Sequence, residues 1–90
     1  MRFLSTFEDS FAITVDYYKS IDQPLARRFI DAVDEAMNQI DRFPKIGKQT
    51  SSYRLLPVKG FPFSFCYDID AKGPIGLVLH HHSSMKPIRR

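Results

Sequence analysis

Three consecutive histidines, His80 to His82, a single cysteine, Cys66, and an arginine that follows a tyrosine, Arg54, are the side chains here with the chemistry to carry a reaction or hold an ion. An unperturbed imidazole titrates near about pH 6.5, so each histidine is a candidate proton carrier. Neighbours on a strand point to opposite faces, so His80 and His82 can share a site and His81 cannot join them. The same spacing suits two ligands of a metal ion, but no third ligand accompanies them, and neither a metal nor a cofactor is expected. Cys66 alone can build no internal disulfide and no zinc ring, and no motif around it supplies an activating base; packing is its expected role. Arg54 is suited to a phosphate or a partner's carboxylate, and equally to anchoring a sheet edge.

The stretch YRLLPVKGFPFSFCYDI, Tyr53 to Ile69, must position most of these groups. It predicts two strands folded on Lys59-Gly60, where Gly60 supplies the positive φ of a tight hairpin. Phe61, Phe63, Phe65, Tyr67 and Ile69 alternate at the strand period and form an apolar face. Pro62, Ser64, Cys66, Asp68 and Asp70 form the other face, small or polar, where chemistry is sought first. Folding at Lys59-Gly60 sets Val58 opposite Phe61, Leu56 opposite Phe63 and Arg54 opposite Phe65. Arg54 then shares the aromatic face, unless a bulge around Pro57 moves it to the other.

Upstream, Leu25, Phe29, Val33, Ala36, Met37, Ile40 and Phe43 recur at spacings of three and four and predict a helix, begun by Asp22 or Gln23 with Pro24 and ended by Pro44. Lys45 to Ser52 reads as a loop. The segment before Asp22 fits two patterns. Phe7, Phe11, Val15 and Tyr18 share a helical face, with Thr6 and Asp9 as a capping box, whereas Phe11, Ile13, Val15 and Tyr17 alternate as in a strand. A turn at Ala71 to Pro74 leads to a last strand, Ile75 to His80, and a polar, basic tail.

Ninety residues predict one domain, 1–90, burying only about 60 to 65% of its unfolded surface, so its eight Phe and four Tyr are needed for the core. No stretch has the roughly 20 apolar residues of a membrane span, and MRFLSTFEDS lacks a secretory pattern, so a cytoplasmic protein with no membrane partner is expected. The net charge of +3 favours acidic partners. The order of elements predicts an α+β fold with helices covering the aromatic face of a small antiparallel sheet.

The paired Tyr17 and Tyr18, the helix LARRFIDAVDEAMNQIDRFP, the Tyr53-Arg54 pair, the strand FPFSFCYDI and a last strand ending in histidine together resemble the RelE/ParE superfamily of bacterial type II toxins, the plasmid stabilisation proteins, over nearly the whole chain. The resemblance implies that the first segment is a helix, forming an N-terminal hairpin with the second. It also implies a toxin neutralised by a cognate antitoxin in a hetero-oligomer. Two modes of attack are implied: RelE-like members cleave mRNA on the ribosome, and ParE-like members inhibit DNA gyrase. The first would make Arg54, His80 and His82 catalytic, since cleavage at a ribose 2′-hydroxyl needs a proton carrier and cations against the phosphorane. Two further basic positions of that pattern are Leu56 and Ser64 here, whereas His82-Ser83-Ser84-Met85 resembles the His and Met region of ParE-like members, which favours the binding mode; a toxin-derived module without toxicity is the third alternative. Arg54, Lys59, Ser64, Met85, Lys86, Arg89 and Arg90 are the candidate partner- or nucleic-acid-binding residues. Few residues precede the first helix, so the first strand is expected to be short or degenerate, or the start placed too late. The resulting open sheet edge and an apolar groove would receive an acidic antitoxin that folds on binding.

Overall fold

A computed structural model describes residues 1–85. Strand β1 (Arg2–Phe3) leads into helices α1 (Ser5–Ile21) and α2 (Gln23–Arg42), followed by strands β2 (Lys48–Gln49), β3 (Arg54–Pro57), β4 (Phe63–Asp70) and β5 (Gly73–His81) and a 3-10 turn over His82–Met85. The sheet order is β1-β5-β4-β3-β2. Every pairing is antiparallel except that of β1, whose two residues run parallel to β5 at Ile75 and Gly76. The first strand is as short as expected.

The ambiguous first segment is a helix because its aromatic residues close the core only at helical spacing. Phe7, Val15 and Tyr18 are buried, while Ile13 and Tyr17, which a strand would have placed with Val15, face outward. Tyr18 thus packs on Phe61 and Phe63 and Tyr17 does not reach the sheet. The expected capping box is absent. Leu4 takes the N-cap position without a side-chain bond, and Thr6 Oγ1 donates instead to Leu77 O at 2.6 Å. A single extended residue, Asp22, closes α1 through its N–H to Tyr18 O and opens α2, with Pro24 in the first turn where its missing donor costs nothing.

Helix α2 buries Ala26, Phe29, Val33, Ala36 and Ile40 along one stripe. Phe29 is the hub of the aromatic core, with the rings of Tyr18, Phe61, Phe63 and Phe11 at 5.2, 5.1, 5.6 and 6.2 Å. Phe7 joins α1 to the sheet through Phe65 at 4.7 Å.

The hairpin keeps its faces but not its register. Arg54 lies opposite Tyr67 and Leu56 opposite Phe65, two residues further along β4 than a turn on Lys59-Gly60 predicts. Pro62 has no N–H to give the ladder, so pairing ends at Val58 N to Phe63 O and a four-residue loop intervenes. Gly60, at φ 85°, makes the tight bend inside that loop, and Phe61 leaves the strand while still packing on Phe29. A shift by two preserves strand parity, which is why Arg54 remains on the aromatic face. In β5, a bulge between the Cys66 and Tyr67 pairings leaves Leu77 unmatched and interrupts the alternation of faces along the strand.

The edge expected to lie open is largely closed. Beyond β1, α1 runs beside β5. Thr6 donates to Leu77 O, and Ser10 Oγ accepts the Leu79 N–H at 3.0 Å. Helix hydroxyls occupy backbone groups that a partner strand would use. At the other edge, residues expected to be loop supply β2, which covers Arg54 and Leu55. No described helix is long and apolar enough to cross a membrane.

Candidate functional site

The side chains singled out in the sequence fall into two groups on opposite faces of the sheet. Ser64, His80 and His82 come together on the face away from the helices: Ser64 pairs with His80 across β4 and β5, and Ser64 Oγ lies 3.1 Å from His82 Nε2. His82 is exposed, but Ser64 is only 5% exposed, so its hydroxyl presents little surface to a substrate. His80 Nδ1 is buried and has no hydrogen-bond partner among the described residues. His81 points to the opposite face, where its ring meets Phe63 edge-on at 4.9 Å. Its Nδ1 accepts the Ser83 N–H at 3.1 Å.

Cys66 is on the same strand face as Ser64 and is equally buried. This is the face where chemistry is sought first, yet the small side chains of the central strand are shielded there by their neighbours. Burial first, and the Asp68 carboxylate second, push the Cys66 thiol up to about 11 from an ordinary value of 9.0. The folded state therefore holds this proton more tightly than the unfolded chain. Its contribution to stability is constant below about pH 9 and declines as pH rises toward 11. At pH 8 the thiolate fraction falls about a hundredfold, so iodoacetamide should modify native Cys66 at least about a hundred times more slowly than Cys66 in denaturant. Equal rates in the two states would contradict this burial.

Arg54 belongs to the second group. Its Nη1 donates to Gly47 O at 2.7 Å and to Lys45 O at 3.2 Å, fastening the loop that follows α2. Beside it, the hydroxyl of Tyr67, fully buried, donates to Pro44 O at 2.7 Å and accepts the Gly47 N–H at 2.9 Å. A Cβ at Gly47 would stand 2.7 Å from that hydroxyl, so only glycine admits the ring so close. Together these two side chains satisfy the loop's turned-in backbone.

The arrangement thus separates what phosphodiester cleavage needs together. Arg54 is committed to carbonyls on the helix side, and the Ser64–His82 pair lies nearer the other end of β4 on the far side. Lys59 sits in the hairpin loop beside Leu25, Arg28 and Asp31. Met85 closes the 3-10 turn, and Lys86, Arg89 and Arg90 lie outside the described residues.

A family profile described as the ParE toxin of the type II toxin-antitoxin system, parDE, matches residues 1–85. The chain belongs to the ParE toxin family. Among solved structures, a chain of the chromosomal ParDE TA system from P. aeruginosa is similar, with a TM-score of 0.76 at 15% identity, covering 89% of this chain and 91% of that one. At that identity the likeness speaks for the fold: two helices followed by a five-stranded mixed sheet. No curated protein sequence matches. As a ParE-family protein the chain is a type II toxin.

The sequence reasoning missed the Tyr67 hydroxyl. A tyrosine between Phe65 and Ile69 on a buried strand face carried the signal, because a buried phenol needs a partner where phenylalanine would need none.

Proposed function

We propose that this ParE-family toxin acts in the cytoplasm by binding and inhibiting DNA gyrase, and that an acidic antitoxin neutralises it. The observation that carries the binding mode over catalysis is the commitment of Arg54 to Lys45 O and Gly47 O, on the face opposite the Ser64–His82 pair. A phosphorane needs cations and a proton carrier around one oxygen cluster, and a guanidinium anchored to two carbonyls on the opposite face is poorly placed to supply charge there. A binding toxin needs only a rigid surface. The net charge of +3 supports an acidic antitoxin.

Induced alone, the toxin is expected to stop growth, and co-induction of the adjoining antitoxin gene to restore it. The purified toxin should inhibit supercoiling by gyrase and leave mRNA on translating ribosomes intact. Ribosome-dependent cleavage with normal supercoiling would replace this mode with endoribonuclease activity. Unaffected growth would leave an interaction module without toxicity.

A further inference from the structure

The loop after α2 is held from inside and turns its apolar side chains outward. Phe43 N donates to Gln39 O and Ile46 N to Phe43 O, each at 2.8 Å. Tyr67 and Arg54 take the carbonyls of Pro44, Lys45 and Gly47. With its backbone so engaged, the loop nonetheless leaves Phe43 63% and Ile46 42% exposed. These two residues and Ile69 line a depression of about 590 Å³, whose remaining wall is Pro44 and whose rim carries Arg42 and Lys45. Neither cation forms an ion pair among the described residues.

A rigid apolar anchor loses little conformational freedom on binding, which is the property of an interface hot spot. The sign of the rim selects the occupant. A second copy of the chain related by a two-fold axis would bring Arg42 and Lys45 against their own equivalents, and like charges oppose that contact. A single-stranded nucleic acid would find only one aromatic ring on which to stack, beside an aliphatic floor. An acidic amphipathic peptide matches both the floor and the rim. A second apolar depression, of about 360 Å³ and floored by Phe7, Phe11 and Met37 between α1 and α2, carries Glu8 and Asp34 and has the wrong sign for such a partner.

We propose that the Phe43–Ile46–Ile69 depression docks an acidic amphipathic segment of the antitoxin, its apolar side chains against Phe43 and its carboxylates on Arg42 and Lys45. This site rests on the toxin–antitoxin reading given above. The antitoxin here engages the loop side chains and not a β-strand edge, consistent with the edge of β5 being occupied by Thr6 and Ser10.

The test titrates the product of the adjoining antitoxin gene into wild-type toxin, a Phe43→Ser variant and an Arg42→Glu, Lys45→Glu variant by calorimetry at two salt concentrations. The Phe43→Ser variant is expected to bind about thirtyfold or more weakly. The charge-reversed variant should bind weakly at low salt and improve as salt is added, opposite to wild type. Both changes are at exposed positions, so the thermal midpoints of the free proteins serve as the folding control. If wild type binds and both folded variants bind equally well at both salt concentrations, the site is overturned while the toxin reading stands. If wild type does not bind at all, the toxin–antitoxin reading fails and the site with it. A wild-type homodimer that Phe43→Ser dissolves would assign the surface to a second copy and overturn the proposal.

Discussion

Phe29→Ala is expected to remove about 3–5 kcal/mol of stability, the usual range for deleting a large buried ring. Phe29 has no exposed surface and is the residue through which α2 meets both α1 and the sheet. Truncation leaves four aromatic rings facing a void that none can fill without giving up its other contacts. A domain of this length has about 5–13 kcal/mol of stability in all, so the variant should sit near the edge of folding. Urea unfolding followed by circular dichroism measures the loss, and the slope should stay close to wild type. Phe43→Ala is the control: the same chemical change at a 63% exposed position should cost less than about 1 kcal/mol. A Phe29→Ala loss as small as the control's would refute the aromatic hub.

The second large effect is expected at Tyr67. Replacing it with phenylalanine keeps the ring and removes one oxygen, leaving Pro44 O and the Gly47 N–H without their partner. Stranded backbone groups cost about 1–3 kcal/mol each, and with Phe43, Lys45 and Ile46 of the same loop exposed a loss in the lower part of that summed range, about 2–3 kcal/mol, is expected. At this domain size that corresponds to a thermal midpoint lower by roughly 10–20 °C. Gly47→Ala attacks the same contact from the other side, by steric displacement of the hydroxyl. The double variant should therefore lose less than the sum of the two single losses. Strict additivity would show that the hydroxyl does not hold the loop. Arg54→Ala belongs to the same network and should also destabilise, because Gly47 O and Lys45 O lose a charged donor.

The two predictions differ in what the sequence could reveal of their sites. Phe29 stood on an unambiguous helical stripe with Leu25, Val33 and Ile40, so its burial was legible from periodicity. Tyr67 was legible only as an inward-facing residue; which carbonyl its hydroxyl meets depends on how the loop after Pro44 returns to the sheet. Arg54 keeps the face that a turn on Lys59-Gly60 predicts although its partner on β4 differs. The hairpin register shifts by two, and only an odd shift exchanges faces. Its nearest partners were not foreseeable, because the carbonyls of Lys45 and Gly47 reach it through chain folding and not through strand pairing.

Composition and patterning by themselves determined the α+β class, the second helix, the two hairpins, the inward aromatic face and the resemblance to the toxin superfamily, all of which follow from local periodicity and order along the chain. For the first segment periodicity left helix and strand open and the resemblance implied the helix, which the structure bears out, burying Phe7, Val15 and Tyr18 on one face. Tertiary structure alone decided three things. It buried Ser64 and Cys66 on the face where chemistry is sought first, separated Arg54 from His80 and His82, and turned Phe43 outward from the end of a buried helix stripe. Each of these depends on contacts between residues distant in sequence, to which a periodic pattern carries no information.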